Sequence, residues 1–380
     1  MSGERRLRVA HAALALTFVA FGSVDGSWAA RLPALKHRLA LDSGKLGLVI
    51  FAVSVCATAV LPLAGWLASR HGSRGPAALG LLVTAGGLAA AAFVPGLATL
   101  ALAAGVIGAG FGIVDIAANA HGVALESRAG RPLLSSLHGA WSVGLLTGSG
   151  IAAGAAAAGA SPRVQFPAVA AGAVAVALLA VPRLLPGRED AVGVETARFA
   201  LPRGALALPA LLTFCSMFVE ASTMNWSAVF LAGPAGASPA VAAAGLVSFS
   251  VAMAAARFAG DPLLLRWGVT GLARRGGLLS CAGVVVAVAT RSPAPALVGF
   301  ALVGAGCAVL VPALFRVAGS VPGVGAGAGI AAVATAGYTG SVLNGPAIGF
   351  LARGTGLAGA LGLVAGASAL IALLGPRLDR

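Results

Sequence analysis

Twelve stretches of this chain are apolar enough and long enough to cross a membrane, and this limits its fold before anything else does. They fall at 9–30, 45–68, 76–95, 97–120, 135–158, 164–184, 205–231, 239–264, 275–291, 294–315, 326–351 and 356–375, the run at 275–291 being the shortest. A helix needs about 20 residues to span the hydrocarbon core. Backbone polar groups find no water there, so a spanning segment must pair them within itself. The runs therefore predict helices, and the chain an all-α membrane protein. Composition agrees: 59% of residues are hydrophobic and 9% charged, where a soluble domain carries about 25% charged residues.

The net charge is +14. In a soluble protein this would point to nucleic acid, but its placement points to topology. With the N-terminus inside, Arg31, Lys36, Arg38, Lys45, Arg163, Arg291 and Arg353 face out, and the other 18 of the 25 basic residues face in. Basic residues collect on the cytoplasmic side of membrane proteins. Both termini are thus expected in the cytoplasm, with the charge touching lipid and no nucleic acid as partner. Arg5, Arg6 and Arg8 precede the first run, and Ser27-Trp28-Ala29 resembles a signal-peptide cleavage site. Asp25 interrupts that pattern and the run is long enough to span, so no cleavage is expected. Cys56, Cys215, Cys281 and Cys307 all lie in apolar runs without metal-ligand spacing and read as small buried side chains. No cofactor or metal is expected.

The longest polar stretch between runs is 185–204, with six runs on each side. It predicts a half at 1–184, a cytoplasmic linker at 185–204 and a half at 205–380. The halves resemble each other: Arg70-His71-Gly72 closes the second run and Arg266-Trp267-Gly268 the eighth, 196 residues later. Trp28 and Trp226, and Trp66 and Trp267, keep nearly the same offset. This is the pattern of a parallel 6+6 repeat. Trp66 and Trp267 read as interfacial anchors. Gly108-x-x-x-Gly112 and Gly144-x-x-x-Gly148 let helices approach closely and read as packing.

Acids inside apolar runs are the candidate chemistry. An ionised carboxylate in the bilayer costs roughly 2.5–3.5 kcal/mol on insertion scales and persists where it faces protein or a wet cavity. Asp115 and Asn119, spaced i, i+4, share one helix face. Asp115 is either a proton carrier or a hydrogen-bonded structural acid. Glu220, near the middle of the seventh run, is a candidate for a proton or substrate role; Asp25 is either functional or a wet interfacial acid. Asn225 follows Glu220 by five residues, so the two face different ways on an unbroken helix. His138 titrates near neutrality or serves as a hydrogen-bonded packing residue. Trp28 and Trp141 either stack on a ligand or pack. Asn344, in Asn344-Gly345-Pro346, either lines a cavity or marks a kink.

Gly65-Trp66-Leu67-Ala68-Ser69-Arg70-His71-Gly72-Ser73-Arg74 resembles the loop signature of the major facilitator superfamily, with Ser69 where the signature has Asp. Gly260-Asp261 and Arg266-Trp267-Gly268 form a looser second copy that keeps an Asp. The resemblance implies two six-helix halves in the major facilitator fold, with Gly65, Arg70, Gly72 and Arg74, and in the second copy Asp261 and Arg266, at an inner gate. The segment from Gly108 through Asp115 and Asn119, Gly130-Arg131-Pro132 through Ser135-Ser136 and His138-Gly139, Trp28 to Lys36, and Asn225-Trp226-Ser227 look like the YbjJ-type facilitators, which usually carry Asp at the Asn225 position. Val114-Asp115-Ile-Ala-Ala-Asn119 is also similar to an element of proton-coupled fucose-type sugar permeases. That likeness implies proton coupling at Asp115; the permeases' other acid falls at Ala29, one turn after Asp25. The paired glycines of drug antiporters are poorly matched, since Gly148-Ser149-Gly150 lacks the proline.

The chain therefore reads as a monomeric secondary transporter of the bacterial inner membrane, moving a small solute by alternating access with protons as partner and a site near the midplane between the halves. The alternatives are a proton-driven metabolite or drug exporter and a transport-inactive sensor, which the missing Asp at Ser69 keeps open. An enzyme is not expected, because the polar loops are too short to hold a soluble active site. No Lys or Arg lies near the middle of a run, Arg31, Arg257 and Arg316 being placed at ends. A buried anion needs a compensating cation, so the solute is expected to be neutral or cationic.

Overall fold

The computed structural model describes residues 3–130, 133–186 and 202–378, except for the side chains of 3, 135, 261, 326 and 327. The linker expected at 185–204 lies mostly outside these residues, as do Arg131 and Pro132. Fifteen α-helices are found among the described residues. The first eight are α1 (Gly3–Ala30), α2 (Leu32–Arg38), α3 (Ser43–Ala59), α4 (Leu61–His71), α5 (Arg74–Ala91), α6 (Leu97–Ala129), α7 (Leu134–Ala157) and α8 (Pro162–Leu179). The rest are α9 (Ala207–Ala232), α10 (Pro239–Phe258), α11 (Gly260–Thr290), α12 (Pro293–Cys307), α13 (Leu310–Gly319), α14 (Ala326–Ala360) and α15 (Gly362–Leu374).

Ten helical stretches are long and apolar enough to cross a membrane, and a pair bent by 65°, Ala328–Ala360 with Gly362–Arg377, makes eleven. The pair divides at Leu361, and within its first member Gly356 leaves helical φ/ψ near the boundary expected between the last two runs. Local chemistry sets the helix starts. Ser161-Pro162, Ser238-Pro239 and Ser292-Pro293 each place Pro in the first turn of a helix, where its missing N–H is not needed and its φ is already helical. Two runs are broken within: α3 and α4 part at Val60, and α12 and α13 part at Ala308 and Val309.

The repeat legible in the sequence has a backbone counterpart. Gly72 (φ 76°, ψ 169°) and Gly268 (φ 63°, ψ 179°) take the same left-handed turn, a conformation open to Gly without strain. Each turn also has an arginine over a tryptophan, before the turn in the first copy and across it in the second. The Arg70 guanidinium lies 5.6 Å from the Trp66 ring centre, and that of Arg275 lies 4.4 Å from Trp267.

Packing divides the chain into two compact units. The first comprises Met1–Leu35 with Ala52–Ala197, the second Lys36–Phe51 with Arg198–Arg380. In the first, α1 and α7 meet backbone to backbone. A Cβ built on Gly148 would stand 2.0 Å from the Ser23 carbonyl oxygen, on Gly144 2.3 Å from that of Val19, on Gly22 2.3 Å from that of Trp141, and on Gly26 2.2 Å from that of Leu145. Gly108 and Gly112 likewise press α6 onto Val53 and Ala57 of α3. Both spaced-glycine patterns thus act in packing within the chain. In the second unit Gly345 and Gly349 of α14 meet Gly47 and Ser43 in the first turns of α3. Beside that seam Arg353 holds both carboxylate oxygens of Asp42, at 3.1 and 3.3 Å.

Candidate functional site

The first unit gathers its polar residues on α1, α6 and α7. The glycine seam runs 22 to 141 and 26 to 145, so α1 and α7 are parallel; a short turn joins α6 to α7, so α6 runs against both. Aromatic rings occupy the middle. Phe21 lies 5.2 Å from Phe111 and 6.3 Å from Trp141, ring centre to ring centre, and Phe18 lies 5.6 Å from His138. Asp115 follows Phe111 by about one turn of α6, and Asp25 follows Phe21 by about one turn of α1. Because these helices are antiparallel, the two acids lie on opposite sides of the rings.

Asp115, Asn119 and His138 form a hydrogen-bonded chain. The Asn119 amide nitrogen donates to Asp115 Oδ1 at 3.0 Å and to the Asp115 carbonyl at 2.9 Å. That fixes the amide oxygen on its other side, 3.1 Å from His138 Nε2. An amide oxygen accepts only, so His138 Nε2 carries a hydrogen. Asp115 and Asn119 are partly buried and His138 is exposed. The chain thus runs from a recessed carboxylate to an accessible, titratable ring. Asp25 has no hydrogen-bond or ion-pair partner among the described residues and is partly buried. A carboxylate in that position keeps its charge only with a bound cation or donor, and otherwise takes up a proton.

Trp28 is 2% exposed and packs on Phe166 at 6.4 Å, so it faces the contact of α1 with α8 rather than an open surface. Ser27 and Gln165 hydrogen-bond at the same contact, and Arg31, also buried, donates to the Ala160 carbonyl. Trp141 packs its ring at a tilt against Phe21, and its indole N–H is buried without a partner among the described residues. A cavity of about 330 Å³, lined by Glu4, Leu7, Arg8, His11, Leu125, Ala129 and Leu133, lies at the start of α1, away from the acids.

In the second unit Glu220 and Asn225 do face different neighbours. Asn225 donates to Asn344 Oδ1 at 3.3 Å, and Asn344 is fully buried. Glu220 instead meets Arg257, with Nη2 to Oε1 at 3.5 Å. Arg257 lies in the last turn of α10, at the end of its span as expected; the sequence did not show that it meets Glu220 there.

Around the glycine loop, Gly65 is buried in α4, Gly72 caps that helix, Arg70 is exposed over Trp66, and Arg74 opens α5. Ser69 Oγ donates to the Trp66 carbonyl of its own helix. Arg266 is exposed, and the Asp261 side chain lies outside the described residues. Sequence reasoning missed His121. The Leu185 N–H donates to its Nε2 at 3.2 Å, so Nδ1 bears the hydrogen and donates to Ser73 Oγ at 2.7 Å. His121 therefore ties the glycine loop to the segment after α8. The signal available was a His immediately after the apolar run 97–120, two residues past Asn119 and on a different helix face.

No family model matches the chain. An uncharacterised MFS-type transporter of Yersinia pestis is 33% identical over 350 residues, covering 92% of this chain and 91% of the relative. An uncharacterised transporter of Sinorhizobium fredii is 30% identical over 99% of this chain and 100% of its own length. Among solved structures, a D-xylose–proton symporter superposes with a TM-score of 0.78 at 15% identity, over 97% of this chain and 96% of its own. The nucleoside transporter NupG gives 0.73 at 17%, over 98% and 99%. FucP in its outward conformation gives 0.62 at 18%, over 99% and 100%. These neighbours carry the same all-helical fold, and the relatives are named as transporters rather than enzymes. Identity to the Yersinia pestis transporter along nearly the whole of both chains places this protein in the major facilitator superfamily of multi-pass membrane transporters.

Proposed function

We propose that this chain is a proton-coupled secondary transporter of the bacterial inner membrane, acting as a monomer with both termini cytoplasmic. Its coupling residue is Asp115. The observation that carries this reading is the chain Asp115–Asn119–His138. A carboxylate that must neutralise to leave water, linked through an amide to an exposed imidazole that can carry a proton, is the equipment for loading and releasing a proton as access alternates. The likeness of residues 114–119 to the fucose-type element supports the same role.

The proposed solute is small, polar, and neutral or cationic. Arg257 places a positive group at the end of α10, and Glu220 faces it, so the pair brings no net charge. Asp25 and Asp115 beside Phe21, Phe111 and Trp141 offer acceptors and apolar faces. Structural neighbours named for a xylose–proton symporter and a nucleoside transporter fit a solute of that kind. The test is flux in proteoliposomes, screening polar solutes with and without a pH gradient. Asp115→Asn is expected to abolish gradient-driven accumulation and leave the protein folded. Accumulation in the variant with unchanged pH dependence would overturn the assignment. Absence of flux for every solute in the wild type would favour the sensor reading.

A further inference from the structure

We propose that the transported solute is an organic amine, and that Asp25 is the counter-charge for its ammonium group. This names the class of a solute held by α1, α6 and α7, and it rests on the reading of those helices as the transport site. Asp25 is the recessed acid that coupling at Asp115 leaves without a task. Its surroundings supply no hydrogen for it. The hydroxyls nearest along α1 are committed, Ser23 donating to the Val19 carbonyl and Ser27 to that of Gly148. On α7, Ser142, Thr147 and Ser149 donate to the carbonyls of His138, Val143 and Leu145. On α8, Gln165 donates to Ser27. α6 runs against α1 with Phe111 beside Phe21, so its part level with Asp25 lies about one turn before Phe111. Residues 103–111 there carry no polar side chain.

No cation of the chain answers the carboxylate either. Arg31 lies six residues on, about 9 Å at 1.5 Å per residue, and donates to the Ala160 carbonyl. The titratable and charged groups of α6 and α7 are Asp115, His121, Glu126, Arg128 and His138, and all lie past the rings on the side away from Asp25. What stands beside Asp25 instead is aromatic. Phe21 and Phe111 are buried, while Trp141 is half-buried, so the indole is the ring a solute reaches. Gly22 meets the Trp141 carbonyl and Gly26 that of Leu145, which sets Asp25 about one turn beyond Trp141 along the two parallel helices. Aromatic faces attract an ammonium group and stack on an apolar or ring-shaped body. A neutral polyol would bring hydroxyl hydrogens but leave the recessed charge uncompensated, and an anion would be repelled by it. An amine meets both features, its ammonium at Asp25 and its body on Trp141.

The experiment measures equilibrium binding to purified full-length protein in nanodiscs at pH 7. Three amines are each compared with a neutral counterpart: 2-phenylethylamine with 2-phenylethanol, tryptamine with tryptophol, and glucosamine with glucose. At least one amine is expected to bind about tenfold tighter than its counterpart or more, the scale of a charge pair out of water. Asp25→Asn should abolish that preference by weakening the amine alone, and Asp25→Glu should keep it. Trp141→Ala should weaken both members of the pair, and Trp141→Phe should restore them. Binding needs no gradient, so Asp115→Asn should keep the preference for the amine while losing gradient-driven accumulation. Failure of coupling at Asp115 then shows in flux, and failure of the amine assignment in the binding ratio. Equal binding within all three pairs overturns the proposal, as does a preference that survives Asp25→Asn. A preference lost in Asp115→Asn and kept in Asp25→Asn assigns the ammonium to the other acid and overturns it as well. Should Asp25→Asn fail to fold, Asp25→Ser takes its place.

Discussion

Gly148→Ala is expected to loosen the first unit, and Gly150→Ala, two residues away on the same helix, is not. A Cβ at Gly148 would meet the Ser23 oxygen at 2.0 Å and its carbonyl carbon at 2.7 Å, where ordinary contact begins near 3.4 Å. The obstruction is backbone, so no rotamer relieves it and α1 must move away from α7 by about 1 Å or more. Overpacking of this kind costs about 1–3 kcal/mol. At roughly 2–4 °C per kcal/mol for a unit of this size, Tm falls by about 2–12 °C. A Cβ at Gly150 meets nothing within 4 Å. Ala there gains about 0.5–1 kcal/mol of helix propensity, so Tm holds or rises slightly. The assay is thermal unfolding of the purified variants in one detergent, followed by tryptophan fluorescence. Equal Tm values for the two variants, or a parent-like Gly148→Ala, would refute the claim that the α1–α7 seam is set by backbone contact. The same shift carries Phe18 away from His138, so flux should fall in Gly148→Ala alone.

Three further outcomes are expected. Asn119→Leu keeps the volume but removes the bridge from Asp115 to His138; the pH dependence of flux should then become insensitive to His138→Gln, which a double-variant comparison checks. The Asp42 carboxyl is held below the usual carboxylate range by the Lys45 N–H and, after it, by Arg353. A lowered folded pKa gives a contribution present above about pH 3.9, the unfolded value, and lost as pH falls through the folded one. Asp42→Asn should therefore lower Tm at pH 7, and the difference between parent and variant should shrink as pH falls below the usual carboxylate range. Reporter fusions at Arg188 and Arg380 should behave as cytoplasmic, and a periplasmic signal at either would refute the twelve-span topology.

The sequence by itself determined the fold class and singled out the acids on which the proposed site is built. Apolar runs of spanning length admit helices alone, though the twelve runs read from hydropathy become ten or eleven spans among the described residues. A carboxylate in such a run must face protein or water, so Asp115 and Glu220 announce themselves. Gly72 and Gly268 were visible as a repeat because the turn they make tolerates few other residues. Tertiary structure decided the partners, because contacts between helices depend on rotation and register that hydropathy does not encode. It joined His138 to Asn119 across nineteen residues of chain and buried Trp28 against Phe166. It placed residues 36–51 with the second unit. Arg257 shows the difference most clearly. The sequence puts it near the end of an apolar run; the structure supplies its partners, Glu220 and the Ala308 carbonyl.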